Sequence, residues 1–337
     1  MKSAFLKVGI LSLLAACFVI PAQAQAAEPR VLIYSEPSSP DNNLYKSAEF
    51  FAKRVKELSN GTLEFEIHHN GVLGTETQNV DNLKLGSIDI GQAGSNNLAG
   101  FTDAFLVGDL PYIFQSIESS HKVWWGPVGQ EIIAEAEKDM GVRVLGTWDN
   151  GCGYRYLTNN KHEVRVPADT KDLKLRIAGS PIEESLYKKW GASGTPVPWG
   201  ETYSALEQKV IDGQLLHAAW IYWAKHYEAL KYLTDDANGI CNQHVVMMSK
   251  PTWNSLTPEQ QKAVMQAFDE AQKYNAKISA EMSSQFLKLL TEKCGMKYYK
   301  PTEEERKLWS AAAQAVWPDF AKKIPADLIE RVVAAQK

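Results

Sequence analysis

Between Arg30 and Ala93 the hydrophobic pattern changes period four times, and each change limits what the chain can build. The run RVLIYS (Arg30 to Ser35) reads as a strand. A helix follows from about Asn42 to Leu58, where Phe50, Phe51, Val55 and Leu58 recur at helical spacing and Gly61 stops it. TLEFEIHH is the next strand, TETQNVDNLKL a helix ended by Gly86, and SIDIGQA a third strand. Strands alternating with helices build a mainly parallel sheet covered on both faces. Loops leaving the carboxyl ends of such strands form the ligand crevice, which singles out Ser35, Glu36, Ser95, Asn96 and Asn97. The same residue types also serve plain turns.

The N-terminus carries Lys2 and Lys7, an apolar run from Val8 to Ile20, and small-residue cleavage sites around Ala24. This is the pattern of a secretory signal peptide over residues 1–24. A lipoprotein cleavage site at Cys17 is the competing reading, although FVI continues the apolar run beyond the cysteine. The apolar run is shorter than a membrane-spanning helix needs, so no membrane insertion is expected after cleavage. Loss of the two lysines leaves 34 basic against 40 acidic residues, a net charge near −6, which excludes a nucleic-acid partner. Cys152, Cys241 and Cys294 remain, an odd number without C-x-x-C spacing, so neither a disulfide scaffold nor a zinc ribbon is expected. Cys152 with Cys241 is the preferred pair if one forms.

Roughly 310 residues exceed what one core serves, which favours two lobes. The second begins near Gly153. It holds the strand LKLRIAG (Leu173 to Gly179), a helix near Ile182 to Trp190, and the aromatic passage LLHAAWIYWAKHYEALKYL; NQHVVMMS reads as a strand returning to the first lobe. Thr257, Pro258 and Gln260 then open a long helix with a capping box and proline at its first position. Continued to Gly295, about 37 residues span roughly 55 Å, more than the roughly 40 Å of one lobe. Such a helix links both lobes unless it kinks near Tyr274 to Lys277. The expected division is 28–152 plus 242–281 for lobe I and 153–241 plus 282–337 for lobe II.

No G-x-S-x-G elbow, H-E-x-x-H, P-loop or G-x-G-x-x-G is present, and no catalytic, cofactor or metal set is expected. In LKLRIAG, alternation puts Lys174 and Arg176 on one face, where a solvated pair is the plain reading. Arg155, in GYRYLTNN, joins Arg176 as a possible clamp, because a planar guanidinium matches two carboxylate oxygens.

Five blocks occur in order: NGVLGTETQNVDNLKLGSIDI, GDLPYIF, GYRYLTNNKHEVRVPADTKDLKLRI, GTPVPWGETYSALEQKVIDGQ and VMMSKPTWNSLTPEQQ. Together they resemble the periplasmic solute-binding subunits of tripartite ATP-independent (TRAP) transporters over nearly all of the mature chain. The resemblance implies an α/β, two-lobed periplasmic binding protein of the Venus-flytrap type, with hinge strands and a long helix spanning both lobes. It also implies capture of an organic acid and delivery to the membrane subunits of a TRAP permease, without enzymatic activity. Under it the arginine of the KLR block, Arg176, is the carboxylate anchor, Arg155 the second arginine, and Trp199 the aromatic position before the ETYSAL helix that carries Tyr203.

Where sugar-acid-binding relatives continue DGQ with Glu-Asn-Pro, this chain has Leu215, Leu216 and His217, and Gly94 stands where some carry a cleft glutamate. These departures remove polarity, while Trp199 and Trp220 add flat apolar surface. The expected ligand is therefore an aromatic or heteroaromatic monocarboxylate such as a 2-oxo acid. Trp199 and Trp220 are expected to sandwich its ring, with Ser95, Asn96 or Glu36 meeting its far end. A ligand-sensing module for a membrane receptor, and with less support a periplasmic hydrolase, are the rival classes.

Overall fold

A computed structural model describes residues 28–151, 153–235 and 239–337; the expected signal peptide, the Cys17 alternative and Cys152 lie outside them. In chain order the strands are β1 (Arg30–Ser35), β2 (Leu63–His68), β3 (Ile90–Gly94), β4 (Arg143–Asp149), β5 (Arg155–Asn159) and β6 (Lys174–Ile177). They continue with β7 (Ser193–Pro196), β8 (Gly213–His217), β9 (Tyr232–Thr234), β10 (Gln243–Met248) and β11 (Lys297–Tyr299). One sheet runs β2-β1-β3-β10-β4, the other β11-β9-β5-β8-β6-β7. The α/β, two-sheet architecture is thus the one the sequence favours.

In the first sheet β1 pairs parallel with β2 and β3, as the alternating pattern requires. β10 lies antiparallel between β3 and β4, because the chain re-enters from the second sheet and meets the first from the opposite end. The chain crosses between the sheets around Gly151 and Gly153 and again before β10, and the Arg155 amide donates to Ile240 O at 3.2 Å. Gly151 holds φ +69° at this crossing, and a Cβ there would lie 2.4 Å from Trp220 and 2.7 Å from His217. Only glycine fits that conformation and that approach.

The helix Pro258–Lys288 opens with the expected capping box: Gln260 N–H donates to Thr257 Oγ1 at 3.2 Å and Thr257 N–H to Gln260 Oε1 at 3.0 Å. It runs unbroken through Tyr274 to Lys277 for 31 residues and ends in a π-type turn at Leu289–Lys293. At 1.5 Å per residue it covers about 46 Å. Phe268 stacks on Trp148 of the first sheet at 5.7 Å, and Phe286 packs edge-on against Trp223 of the second lobe at 4.6 Å. Burying rings of this size stabilises by about 1.5–3 kcal/mol each, so both ends of the helix are anchored.

We propose the lobe boundaries stated above, with one correction. The C-terminal residues, expected in the second lobe, grip the first: Gln336 donates to Ile113 O at 2.8 Å and accepts from the Gln115 amide and Ser119 Oγ. Their charged and amide groups find first-lobe partners that the sequence pattern does not reveal. Cys241 is a buried free thiol, with burial pushing it far above its ordinary value.

Candidate functional site

Lys174 and Arg176 share a face of β6, and their surroundings divide them. Lys174 is exposed, its Nζ 2.9 Å from Lys209 O. Arg176 is 6% exposed, its Nε donates to Val197 O at 3.0 Å, and its guanidinium lies 5.7 Å from the Trp199 ring centre. Burial lowers the guanidinium from its ordinary value, with Glu183 partly offsetting this and Arg155 adding to it. The neighbouring carboxylates are engaged elsewhere, Glu183 with Arg155 and Glu76 with His244, and among the described residues none pairs with Arg176. A buried, charged fork without a counter-ion is costly to keep, since a lone charge is seldom left out of water.

Arg155, on β5, is buried as deeply but is satisfied. It donates to Glu183 from one terminal nitrogen and to Asn242 Oδ1 from Nε at 3.0 Å. Glu183 also accepts from the Ala178 amide at 3.0 Å, so the carboxylate is itself fixed.

The facing wall comes from the first lobe. Glu76 opens the helix Glu76–Leu85, and its Oε2 accepts from the Gly94 amide at 3.1 Å and from Asn97. Its Oε1 lies 3.3 Å from His244 Nε2. Burial alone would raise this carboxyl, yet the His244 charge and the bonds from Asn97 and Gly94 together hold it below the ordinary value. Asn96 Oδ1 accepts from Asn242 at 2.7 Å, and a Cβ on Gly94 would sit 2.7 Å from that oxygen.

These walls enclose two joined chambers. The inner one, about 40 Å³, is lined by Arg155, Arg176, Leu216, Trp220, Asn150 and His244 among others. The outer, about 380 Å³, adds Thr75, Thr77, Ile177, Pro196, Val197 and Pro198. Glu76, Asn97, Arg176, Ala178 and Trp199 line both. The inner chamber holds water-sized groups only. An acid that reaches Arg176 with its carboxylate therefore keeps its body in the outer chamber or parts the lobes.

Residues 34–323 match the family described as bacterial extracellular solute-binding protein, family 7. The chain belongs to this family, that of the TRAP solute-binding subunits. It is 31% identical over 309 residues to the 2,3-diketo-L-gulonate-binding periplasmic protein YiaO of Escherichia coli, covering 90% of this chain and 92% of that one. A TRAP periplasmic solute-binding protein from Sulfurospirillum deleyianum with bound succinate superposes with TM-score 0.85 at 31% identity, covering 90% and 98% of the two chains. The sugar acid binding protein DctPAm from Advenella mimigardefordensis, in complex with galactonate, does so with TM-score 0.86 at 28% identity, covering 92% and 98%.

Against this TRAP-type cleft, Arg176, Arg155, Trp199, Trp220, Leu216 and Asn96 come together as wall residues. Four other candidates do not line either chamber. Glu36 is buried behind β1, accepting from Ser38 and Gln92, and burial pushes its carboxyl up to about 8. Ser95 donates to Asp109 Oδ1 at 2.8 Å. Tyr203 turns outward to Glu228 Oε2 at 2.8 Å, because its helix presents that position to solvent. His217 follows Leu216 on β8 and so points away from the wall; it is 1% exposed, neither ring nitrogen is bonded, and burial drives it well below its ordinary value.

The sandwich of Trp199 and Trp220 is corrected as well. The rings meet each other edge to face, 4.8 Å apart at 75°, and Trp220 Nε1 donates to Asn150 Oδ1 at 2.8 Å. No ring fits between planes that are touching. The expected loss of polarity at Gly94 is made good by its neighbours: a Cβ there would meet side-chain atoms of Asn96, Asn97 and Asn150, and Glu76 accepts from the Gly94 amide. Glu76, Asn150 and His244 carry no mark of the cleft wall in the sequence, whereas the crevice rule for strand ends points to Asn97.

Proposed function

We propose that the protein captures an organic acid with one carboxylate on a flat aromatic or heteroaromatic body, 2-oxo acids among them, and delivers it to a TRAP permease in the membrane. The observation that carries this reading is Arg176, buried at the cleft without a carboxylate partner among the described residues. Its fork takes the ligand carboxylate, and Arg155, already tied to Glu183, supplies positive potential beside it.

The cleft is asymmetric. Trp199, Leu216, Val197 and Pro198 on the second lobe offer an apolar face, while Glu76, Asn96 and Asn97 on the first offer a polar edge. A planar acid with an oxo or ring-heteroatom edge matches both. Its body rests on the outer face of Trp199, and its presence across the seam shifts an open population towards closed. The E. coli relative's diketo acid supports the oxo group; the succinate and galactonate neighbours share only the carboxylate. The polar first-lobe wall favours a second reading, a hydroxylated sugar acid.

A thermal-shift and fluorescence panel of phenylpyruvate, indole-3-acetate, gluconate and galactonate separates the two. The aryl acids are expected to give the larger shifts and to quench tryptophan emission. Preferred binding of the sugar acids, with no response to aryl acids, would replace this reading by the second.

A further inference from the structure

His244 on β10 is 1% exposed and presents one ring nitrogen to each of two acceptors. Nδ1 lies 3.2 Å from Gln92 Oε1, and Nε2 lies 3.3 Å from Glu76 Oε1. The Gln92 amide is oriented from its other side, where its nitrogen donates to Glu36. The geometry lets the ring donate from Nε2 to the Glu76 carboxylate while Nδ1 faces the Gln92 amide. Other charged groups around it are engaged: Asp149 on β4 with His121 at 2.7 Å, Glu36 with Ser38 and Gln92, and Arg155 with Glu183. His217 stands unbonded nearby, and Arg176 faces Glu76 across the chambers. Glu76 is the carboxylate within ion-pair reach of His244 among the described residues.

We propose that the Glu76–His244 pair sorts ligands by charge, keeping an ionised carboxylate opposite Arg176 so that the cleft accepts an acid with one carboxylate and a hydrogen-bond donor and turns away a second carboxylate. The inference rests on Arg176 as the anchor. Glu76 lines both chambers, its side chain only 14% exposed. There a second ligand carboxylate meets a like charge with little water to screen it, whereas a hydroxyl, enol or ring N–H meets an acceptor. His244 acts through Glu76 and is a positioning residue. The chain would thus differ from its succinate-bound structural neighbour in the charge it selects.

Calorimetry with succinate and with its monoamide, succinamate, tests this on the purified protein at pH 7.5. The parent is expected to bind succinamate at least tenfold tighter than succinate. Glu76→Gln should close that gap to less than threefold, and His244→Gln should move it the same way. A role for His244 in structure alone would weaken both probes equally. A parent that fails to prefer succinamate, whether it binds both alike or neither, or a ratio unmoved in both variants, overturns the proposal. Should Glu76→Gln not fold, as judged by circular dichroism, His244→Gln carries the test. Arg176→Ala separates the two levels: unchanged binding in that variant removes the anchor reading itself, whereas lost binding with an unmoved ratio in the other variants removes only the charge filter.

Discussion

The two walls of the cleft are built from opposite kinds of chain. The second-lobe wall draws Arg176, Trp199, Leu216 and Trp220 from one stretch of fewer than fifty residues. The first-lobe wall draws Glu76, Asn96 with Asn97, and His244 from three separate segments that meet only when β10 inserts beside β3. The second-lobe wall is apolar around a single charge, the first-lobe wall polar and internally paired. On the proposed reading, affinity rests with the second-lobe wall and selectivity with the first-lobe wall. The contrast also divides two arginines that look alike in sequence, Arg155 paired with Glu183 and Arg176 without a carboxylate partner among the described residues.

Breaking that division gives the largest effect. Arg155→Met strands Glu183 in the interior and should cost about 3–5 kcal/mol of stability, read by urea or thermal unfolding. Arg176→Ala strands no charged partner and loses only the bond to Val197 O, so it should cost the unliganded protein much less than Arg155→Met does. It should instead lower calorimetric affinity for aryl acids by about 2–5 kcal/mol, tens-fold or more. Equal destabilisation by both variants would erase the distinction. Trp199→Ala is expected to take about 0.5–1.5 kcal/mol from aryl acids beyond the lost contact area and little from small aliphatic acids. Equal losses for both classes would make Trp199 a structural residue.

A separate effect is pH-dependent. Burial lifts the Glu36 carboxyl from 4.5 to about 8, so the folded state holds a proton that the unfolded chain gives up near 4.5. Its contribution is whole below about 4.5 and is lost as pH rises through 8. Glu36→Gln stays neutral, so its melting temperature should gain on the parent's between pH 5 and 8. Asp109, lifted to about 7, leaves a residual slope in both proteins. A constant difference across that range would contradict the buried-acid account.

The strands, the capping box and the linking helix were legible because their signals are local: period, cap and stop. β1 runs from Arg30 to Ser35 in the sequence pattern and in the structure alike. Arg176 was legible through its block and its strand, and the structure adds the burial. Glu76 was not, since a glutamate opening a helix is ordinary and nothing local shows that its carboxylate reaches the Gly94 amide. Ser95 and Glu36 were over-read for the complementary reason. They leave strand ends as ligand residues do, but Asp109, Ser38 and Gln92 already satisfy them. Trp199 and Trp220 were correctly placed near each other, yet the angle between two rings is a tertiary property that spacing cannot supply.

The most direct test is a crystal structure of the protein soaked with phenylpyruvate. Both carboxylate oxygens are expected within hydrogen-bond distance of the Arg176 guanidinium, with the ring against Trp199. An acid bound elsewhere, or one in the cleft with its carboxylate turned away from Arg176, would contradict the account.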